Sequence, residues 1–290
     1  MWYKLNNMKK YAEQFIRKAE VAQLILLQHI YGQTGSHDLV FQGGTALRWC
    51  YGGSRFSEDL DFVTAMPIAA LERLLHKAIK SAEREMLPHL GPGRMTLSDK
   101  SRREGSKKLL VGWQPLSGRD AVTVKLECEP LVYGTRLETQ RMVMSALPSV
   151  SYLVMAGEFR IPRPNSVMVV ESPSEILSDK VRALLERQYL KGRDLFDVWL
   201  LRQNRAARLD RTIMERKLNC YTWPFNAVRS TGYFLEPDSE VALIEAIETD
   251  LRRFLPPEVL DVHRSAGYRD FIDAVRALCR EVQSLGMPVL

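Results

Sequence analysis

The sequence predicts an α+β protein in two parts: a mixed sheet with flanking helices over residues 1–165, followed by a C-terminal helical domain over 166–290. Three observations lead there. Short apolar runs bounded by Gly, Pro or polar turn residues recur between residues 38 and 171 at strand length. From Pro173 onward nearly every segment carries helical spacing instead. Pro162 and Pro164 stand at the change of pattern.

The elements follow in chain order. Residues 8–30 form a long amphipathic pattern and predict the first helix. The run from Asp38 to Gln42 is apolar and stops at Gly43-Gly44, which predicts a strand ending in a turn. Thr45 to Tyr51 predicts a short helix, capped by Thr45 and ended by Gly52-Gly53. Glu58 to Thr64 alternates acidic and apolar residues, as a strand does. Pro67 to Leu90 predicts a helix with proline at its start. Lys108 to Gln114 and Ala121 to Glu129 predict two strands joined by residues 115–120, and Val150 to Met155 and Val167 to Glu171 predict two more. The helical part predicts segments at 173–189, 192–204, 208–219, 238–255 and 267–284.

Composition narrows the class. Apolar residues make up 46% of the 290-residue chain and charged residues 26%, enough to build a core, so a wholly disordered chain is excluded. No run approaches the 18 or so apolar residues that a membrane-spanning helix needs. The first residues lack an apolar segment with a small-residue cleavage site, so a cytoplasmic location is expected. Cys50, Cys128, Cys220 and Cys279 are far apart, which fits reduced thiols and neither a zinc ribbon nor a disulfide framework. The net charge of +6 lies wholly in residues 1–150, which hold 21 basic and 15 acidic residues, whereas residues 151–290 hold 20 of each. A basic surface attracts polyanions such as nucleotides and nucleic acid.

The most informative stretch runs from Gly43 to Phe62. Alternate residues of a strand share a face, so Asp59 and Asp61 project together, about 6.5 Å apart along the strand. Leu60 and Phe62 point the other way, into the core. Adjacent carboxylates repel unless a cation neutralises them. Hard divalent ions such as Mg²⁺ take oxygen ligands of this kind together with substrate phosphates, and two such ions can clamp both oxygens of a phosphoryl displacement. Backbone N–H groups at Gly43-Gly44 can cradle a phosphate, with the Thr45 hydroxyl as a further donor. No G-K-[ST] follows and no G-x-G-x-x-G is present, which excludes the Walker loop and the dinucleotide fingerprint. A third carboxylate is expected from Val122 to Glu129. Strict alternation puts Thr123, Lys125, Glu127 and Glu129 on one face, so Glu127 and Glu129 compete; Glu127 is preferred because it lies farther from Pro130.

Four motifs in order make the chain similar to the nucleotidyltransferase-fold toxins of the AbiEii/AbiGii type, the toxin half of type IV toxin–antitoxin and abortive-infection systems. They are Gly43-Gly44-Thr45-Ala46-Leu47; Arg55-x-Ser57-x-Asp59-x-Asp61-Phe62; Glu175-x-Leu177-x-x-Lys180-x-x-Ala183-Leu184-x-x-Arg187; and Arg193-Asp194-x-x-Asp197. The resemblance implies that Gly43, Gly44 and Thr45 hold nucleotide phosphates and that Asp59 and Asp61 bind metal. It implies that Ser57 positions the nucleotide or receives an inhibitory modification. It also implies that Lys180 contacts the triphosphate and Asp194 is a further essential acid, the helical part thus completing the active site. Glu127 is the expected third metal ligand, where a generic nucleotidyltransferase more often has Asp.

The residues themselves agree in part. Lys180, Leu184 and Arg187 share one helix face, and a cationic face could neutralise phosphate charge. Asp194 and Asp197 repel unless a cation is close, so a structural ion pair is the competing reading for Asp194. Lys100, Arg102, Arg103, Lys107 and Lys108 lie together in a polar loop and could grip an RNA backbone; Arg202, Arg205, Arg208, Arg211, Arg216 and Lys217 form a second basic tract. The expected activity is Mg²⁺-dependent transfer of a nucleotide from an NTP to RNA, by resemblance to the tRNA 3′ end, causing growth arrest, with a cognate antitoxin as partner. The alternatives are nucleotidylation of a protein and a non-catalytic nucleic-acid-binding module.

Overall fold

A computed structural model describes residues 11–117, 121–160, 166–203 and 207–287. Residues 8–10 of the first predicted helix, Pro162, Pro164, the loop at 118–120 and Arg205 lie outside the described residues. The chain divides into two compact units: a sheet unit, Glu13–Gly53 with Ser57–Glu171, and a helical unit, Met1–Ala12, Ser54–Phe56 and Ser172–Leu290.

In the sheet unit the described residues form a seven-stranded sheet. Its strands are β1 (Leu39–Gln42), β2 (Asp59–Thr64), β3 (Gly93–Asp99), β4 (Lys107–Pro115), β5 (Val122–Pro130), β6 (Thr139–Val143) and β7 (Val167–Glu171), in the order β3-β4-β5-β2-β1-β7-β6. The β2–β5 and β1–β7 pairs are parallel and the other four antiparallel. Parallel strands need a crossover and buried faces. Helices α1 (Glu13–Tyr31) and α3 (Ile68–Leu90) supply cover: they pack on each other, α1 against β5 and α3 against β4 and β3. The cover is apolar. Leu24, Leu26, Leu27 and Ile30 of α1 and Leu75, Ala78 and Ala82 of α3 are fully buried. The hydroxyl of Tyr31, at the end of α1, lies 2.9 Å from the carbonyls of both Leu39 and Val169, which pins α1 to the β1–β7 pair.

Helix α2 (Gly43–Cys50) follows β1 directly. Its N-cap is Gln42, and Gly43-Gly44 form its first turn, so the turn expected before the helix is part of it and Thr45 is not its cap. The Thr45 hydroxyl instead donates to the Asp59 carbonyl, joining α2 to β2.

The strand expected at Val150 to Met155 is helix α4 (Pro148–Met155). Pro148 at its start presets a helical φ, and its buried residues are Val150 and Leu153, the i,i+3 spacing of one helix face and not the i,i+2 of a strand. Strands β3 and β6 were not anticipated. Both are edge strands with mostly exposed side chains, so neither carries the apolar alternation that marks a half-buried strand.

The helical unit contains α5 (Pro173–Glu186), α6 (Gly192–Gln203), α7 (Arg211–Asn219), α8 (Thr231–Leu235), α9 (Ser239–Leu251), α10 (Pro257–Ser265) and α11 (Arg269–Ser284). The five expected helical segments correspond to α5, α6, α7, α9 and α11, while the short α8 and α10 were not foreseen. The Ser172 side chain caps α5 by accepting from the Glu175 N–H, with Pro173 in the first turn. Helix α6 packs against α9 and α11. Its first residue must be glycine, because a β-carbon on Gly192 would lie 2.5 Å from the Ile247 Cα of α9. The four cysteines are free thiols. No helix among the described residues is long and apolar enough to cross a membrane.

Candidate active site

The parallel register of β2 and β5 builds the acidic site. Asp59 stands opposite Lys125, and Asp61 opposite Glu127. The side chains of these four residues share the sheet face turned away from buried Leu60, Phe62, Leu126 and Cys128. One carboxylate oxygen from each of Asp59, Asp61 and Glu127 lies within 4.8 Å of the others, and all three residues are half-buried. Glu129 stands opposite Val63, two pairs further along the ladder, and is not part of this trio.

Lysine cations lie on the acids. Lys125 Nζ is 2.7 Å from Asp59 Oδ2 and 2.9 Å from Glu127 Oε2, and Lys108 Nζ is 2.5 Å from Glu127 Oε1. Burial alone would raise the Glu127 pKa. The hydrogen bonds from Lys108 and Lys125 outweigh that effect and hold it below the ordinary carboxylate value. Burial would likewise lower Lys125, but its bonds to Asp59 and Glu127 leave it raised. Glu127 and Lys125 therefore face each other as an ion pair at neutral pH. Three carboxylates this close are hard oxygen donors in the arrangement that a divalent ion takes, and the donor set fits such an ion.

Gly43 brings the start of α2 to the same place. Its φ is +77°, and a β-carbon there would meet Asp61 Oδ2 at 2.7 Å. Glycine is thus required twice, once by the backbone and once by the carboxylate beside it. The first N–H groups of a helix have no partner within the helix, so Gly43 and Gly44 carry anion-binding potential next to Asp61. Thr45 is fully buried and acts on the site through the Asp59 carbonyl. Ser57 is buried too, and its carbonyl accepts from Gln23 Nε2.

The remaining motif residues gather in the helical unit. Arg55 forms a two-pronged bond to Asp197, Nε to Oδ1 and Nη2 to Oδ2, each at 2.6 Å. Lys180 Nζ lies 2.7 Å from Asp197 Oδ2 and 2.9 Å from Asp194 Oδ1. Arg187 Nη1 reaches Asp194 Oδ2 at 3.0 Å. Apart from Arg187, whose side chain is 41% exposed, this cluster is buried. Burial would raise Asp194 and Asp197, but the surrounding cations hold both well below the ordinary carboxylate range. The repulsion expected between Asp194 and Asp197 is thereby relieved. Three cations face two carboxylates, which leaves an excess of one positive charge.

Sequence reasoning missed the pairings of Arg55 and Lys125. Lys125 had a legible signal, since it sits two residues before Glu127 on the same strand face. Arg55 and Asp197 are 142 residues apart, and no local pattern joins them. Of the basic loop, Lys107 is held by Glu72 and Asp99 and Lys108 by Glu127. Lys100, Arg102 and Arg103 remain exposed where β3 turns into β4. In the second tract Lys217 is fully buried against Glu175 and Asp179, and Arg216 pairs with Glu175, so these two serve the packing of α5 on α7.

Residues 25–280 match the family model described as nucleotidyl transferase AbiEii toxin, type IV toxin–antitoxin system. Two crystal structures share the fold: a candidate nucleotidyltransferase from H. pylori (TM-score 0.51, 19% identity, covering 94% of this chain and 98% of that one) and JHP933 from Helicobacter pylori (TM-score 0.51, 17% identity, covering 96% and 100%). No curated protein matches the chain.

Proposed function

The chain belongs to the AbiEii family of nucleotidyl transferase toxins of type IV toxin–antitoxin systems, and on that premise we propose that it transfers a nucleotide from a nucleoside triphosphate to the 3′ end of tRNA, with Mg²⁺ as cofactor. The observation that carries this reading is the convergence of Asp59, Asp61 and Glu127 with the Gly43 turn. A triphosphate needs its charge neutralised and its phosphates held, and the two halves of that task meet here.

Asp59, Asp61 and Glu127 would hold the divalent ion, which when bound supplies Lewis-acid stabilisation of charge on the reacting phosphate. Gly43 and Gly44 orient the phosphates through backbone N–H groups. The acceptor hydroxyl oxygen bonds to the α-phosphorus in line, the bond from that phosphorus to the bridging oxygen breaks, pyrophosphate leaves, and the hydroxyl proton is lost. Catalysis of this kind rests on positioning and electrostatics. In the helical unit, Lys180 and Arg187 are assigned an anion-binding role and Asp194 the role of holding them, an assignment supported by the excess positive charge of their cluster. Exposed Lys100, Arg102 and Arg103 suit the phosphate backbone of an RNA acceptor. The biological outcome would be growth arrest in the cytoplasm, relieved by a cognate antitoxin protein.

The test is incubation with total RNA, Mg²⁺ and each α-labelled NTP in turn, followed by separation of RNA from protein. Label in tRNA, with one nucleotide strongly preferred, is the expected result. Label in protein would move the acceptor to a side chain, and no label in either would reject the reading.

A further inference from the structure

The two lysines on the acidic trio are not equivalent. Lys108 touches one carboxylate, Glu127, whereas Lys125 bridges two, Asp59 and Glu127. Lys125 thus bonds an oxygen on each of two of the three carboxylates that a divalent ion would use. An ammonium cannot be a metal ligand, and it carries three donors on a flexible stem. The Lys125 side chain is 25% exposed, unlike Lys180, which is 9% exposed and bonded to two deeply buried carboxylates. Lys125 can therefore leave, and Lys180 is locked. Without any cation, carboxylates this close would push one another apart.

We propose that Lys125 is a displaceable internal counter-ion: it holds Asp59 and Glu127 together in the metal-free protein and yields them to the divalent ion. This rests on the metal-binding reading of the trio. Its consequence is that the lysine competes with the metal and keeps metal affinity low until a nucleotide brings further oxygen ligands to the site. Lys125 is accordingly a positioning residue with a defined sign. If it merely propped the strand, its loss would splay the acids and weaken metal binding. As a competitor, its loss strengthens metal binding.

The experiment measures Mn²⁺ binding by the electron paramagnetic resonance signal of the free ion, in the full chain without nucleotide. Lys125→Met and Lys125→Gln should bind Mn²⁺ about tenfold more tightly than wild type. Lys125→Arg should bind no more tightly than wild type, and Lys108→Met should gain less than Lys125→Met. Unchanged or weakened binding in both neutral Lys125 variants overturns the proposal while leaving the metal site standing. If wild type takes up no Mn²⁺ even with a non-hydrolysable NTP analogue, the metal site itself is wrong and the proposal falls with it. Should neither neutral variant fold, the side-chain ammonium resonance of Lys125 in wild type decides. A shift that tracks Mg²⁺ saturation supports displacement, and a resonance that ignores Mg²⁺ overturns it.

Discussion

A β-carbon on Gly43 would stand 2.7 Å from Asp61 Oδ2. The first turn of α2 and the second acid of β2 are therefore in contact, and the contact tolerates no side chain. Gly43→Ala has two effects: it forces an L-residue to φ +77°, at about 1–2 kcal/mol, and it displaces the Asp61 carboxylate. Thermal unfolding should show a modest loss of stability, and nucleotide transfer should fall far more than stability does. Transfer at the wild-type rate by a stable Gly43→Ala protein would show that Asp61 has no fixed position to lose.

The Arg55–Asp197 pair is buried and two-pronged. Removing one partner of such a pair leaves an uncompensated charge, at about 3–5 kcal/mol. Asp197→Asn should lower the free energy of urea-induced unfolding by that order. A loss below about 1 kcal/mol would place the pair among exposed ones, which contribute little.

Much of this was legible in sequence, and the residues show why. The D-x-D strand announces itself because Asp59 and Asp61 alternate with buried Leu60 and Phe62. Glu127 could be preferred over Glu129 by position, but the β2–β5 register that sets it opposite Asp61 depends on a parallel pairing across 65 intervening positions that no local pattern encodes. The apolar run from Val150 to Met155 reads as a strand and is a helix; a run this short fits either element, and the signal that was passed over is Pro148 at its start. Edge strands β3 and β6 bury too little to leave a pattern. The pairing of Arg55 with Asp197 joins distant positions and follows only from the fold.

The pH dependence of stability follows from the same buried cluster. Asp194 and Asp197 have native pKa values held below the ordinary 3.8. Depressed carboxylates contribute stability that is complete above their unfolded value and is lost as pH falls through the lower native one. Lys180 is raised above its ordinary 10.5 because Asp194 and Asp197 outweigh burial, which by itself would lower it. Its contribution is complete below that value and is lost as pH rises through the higher native one. Urea unfolding across pH should show a plateau over the neutral range, with an acid limb beginning near about pH 4. In Lys180→Met/Asp194→Asn that acid limb should be shallower. An unaltered acid limb would mean that these residues are not the groups being titrated.

The hairpin arginines should act through charge alone. Lys100, Arg102 and Arg103 are exposed, and a contact with RNA phosphates releases counter-ions. Arg102→Gln/Arg103→Gln should weaken RNA binding and reduce the slope of log affinity against log salt by about 1–2. Thermal stability should not change. An unchanged slope would remove this hairpin from the acceptor surface.

The most direct test of the acidic trio compares wild type with Asp59→Asn and Asp61→Asn for transfer of label from α-labelled NTP, at matched folding by circular dichroism. Each amide keeps the shape and removes a charged ligand. A metal's charge stabilisation amounts to several kcal/mol, so transfer should fall by about a thousandfold or more. Transfer within a few-fold of wild type in either folded variant would contradict the assignment of these carboxylates to the reaction.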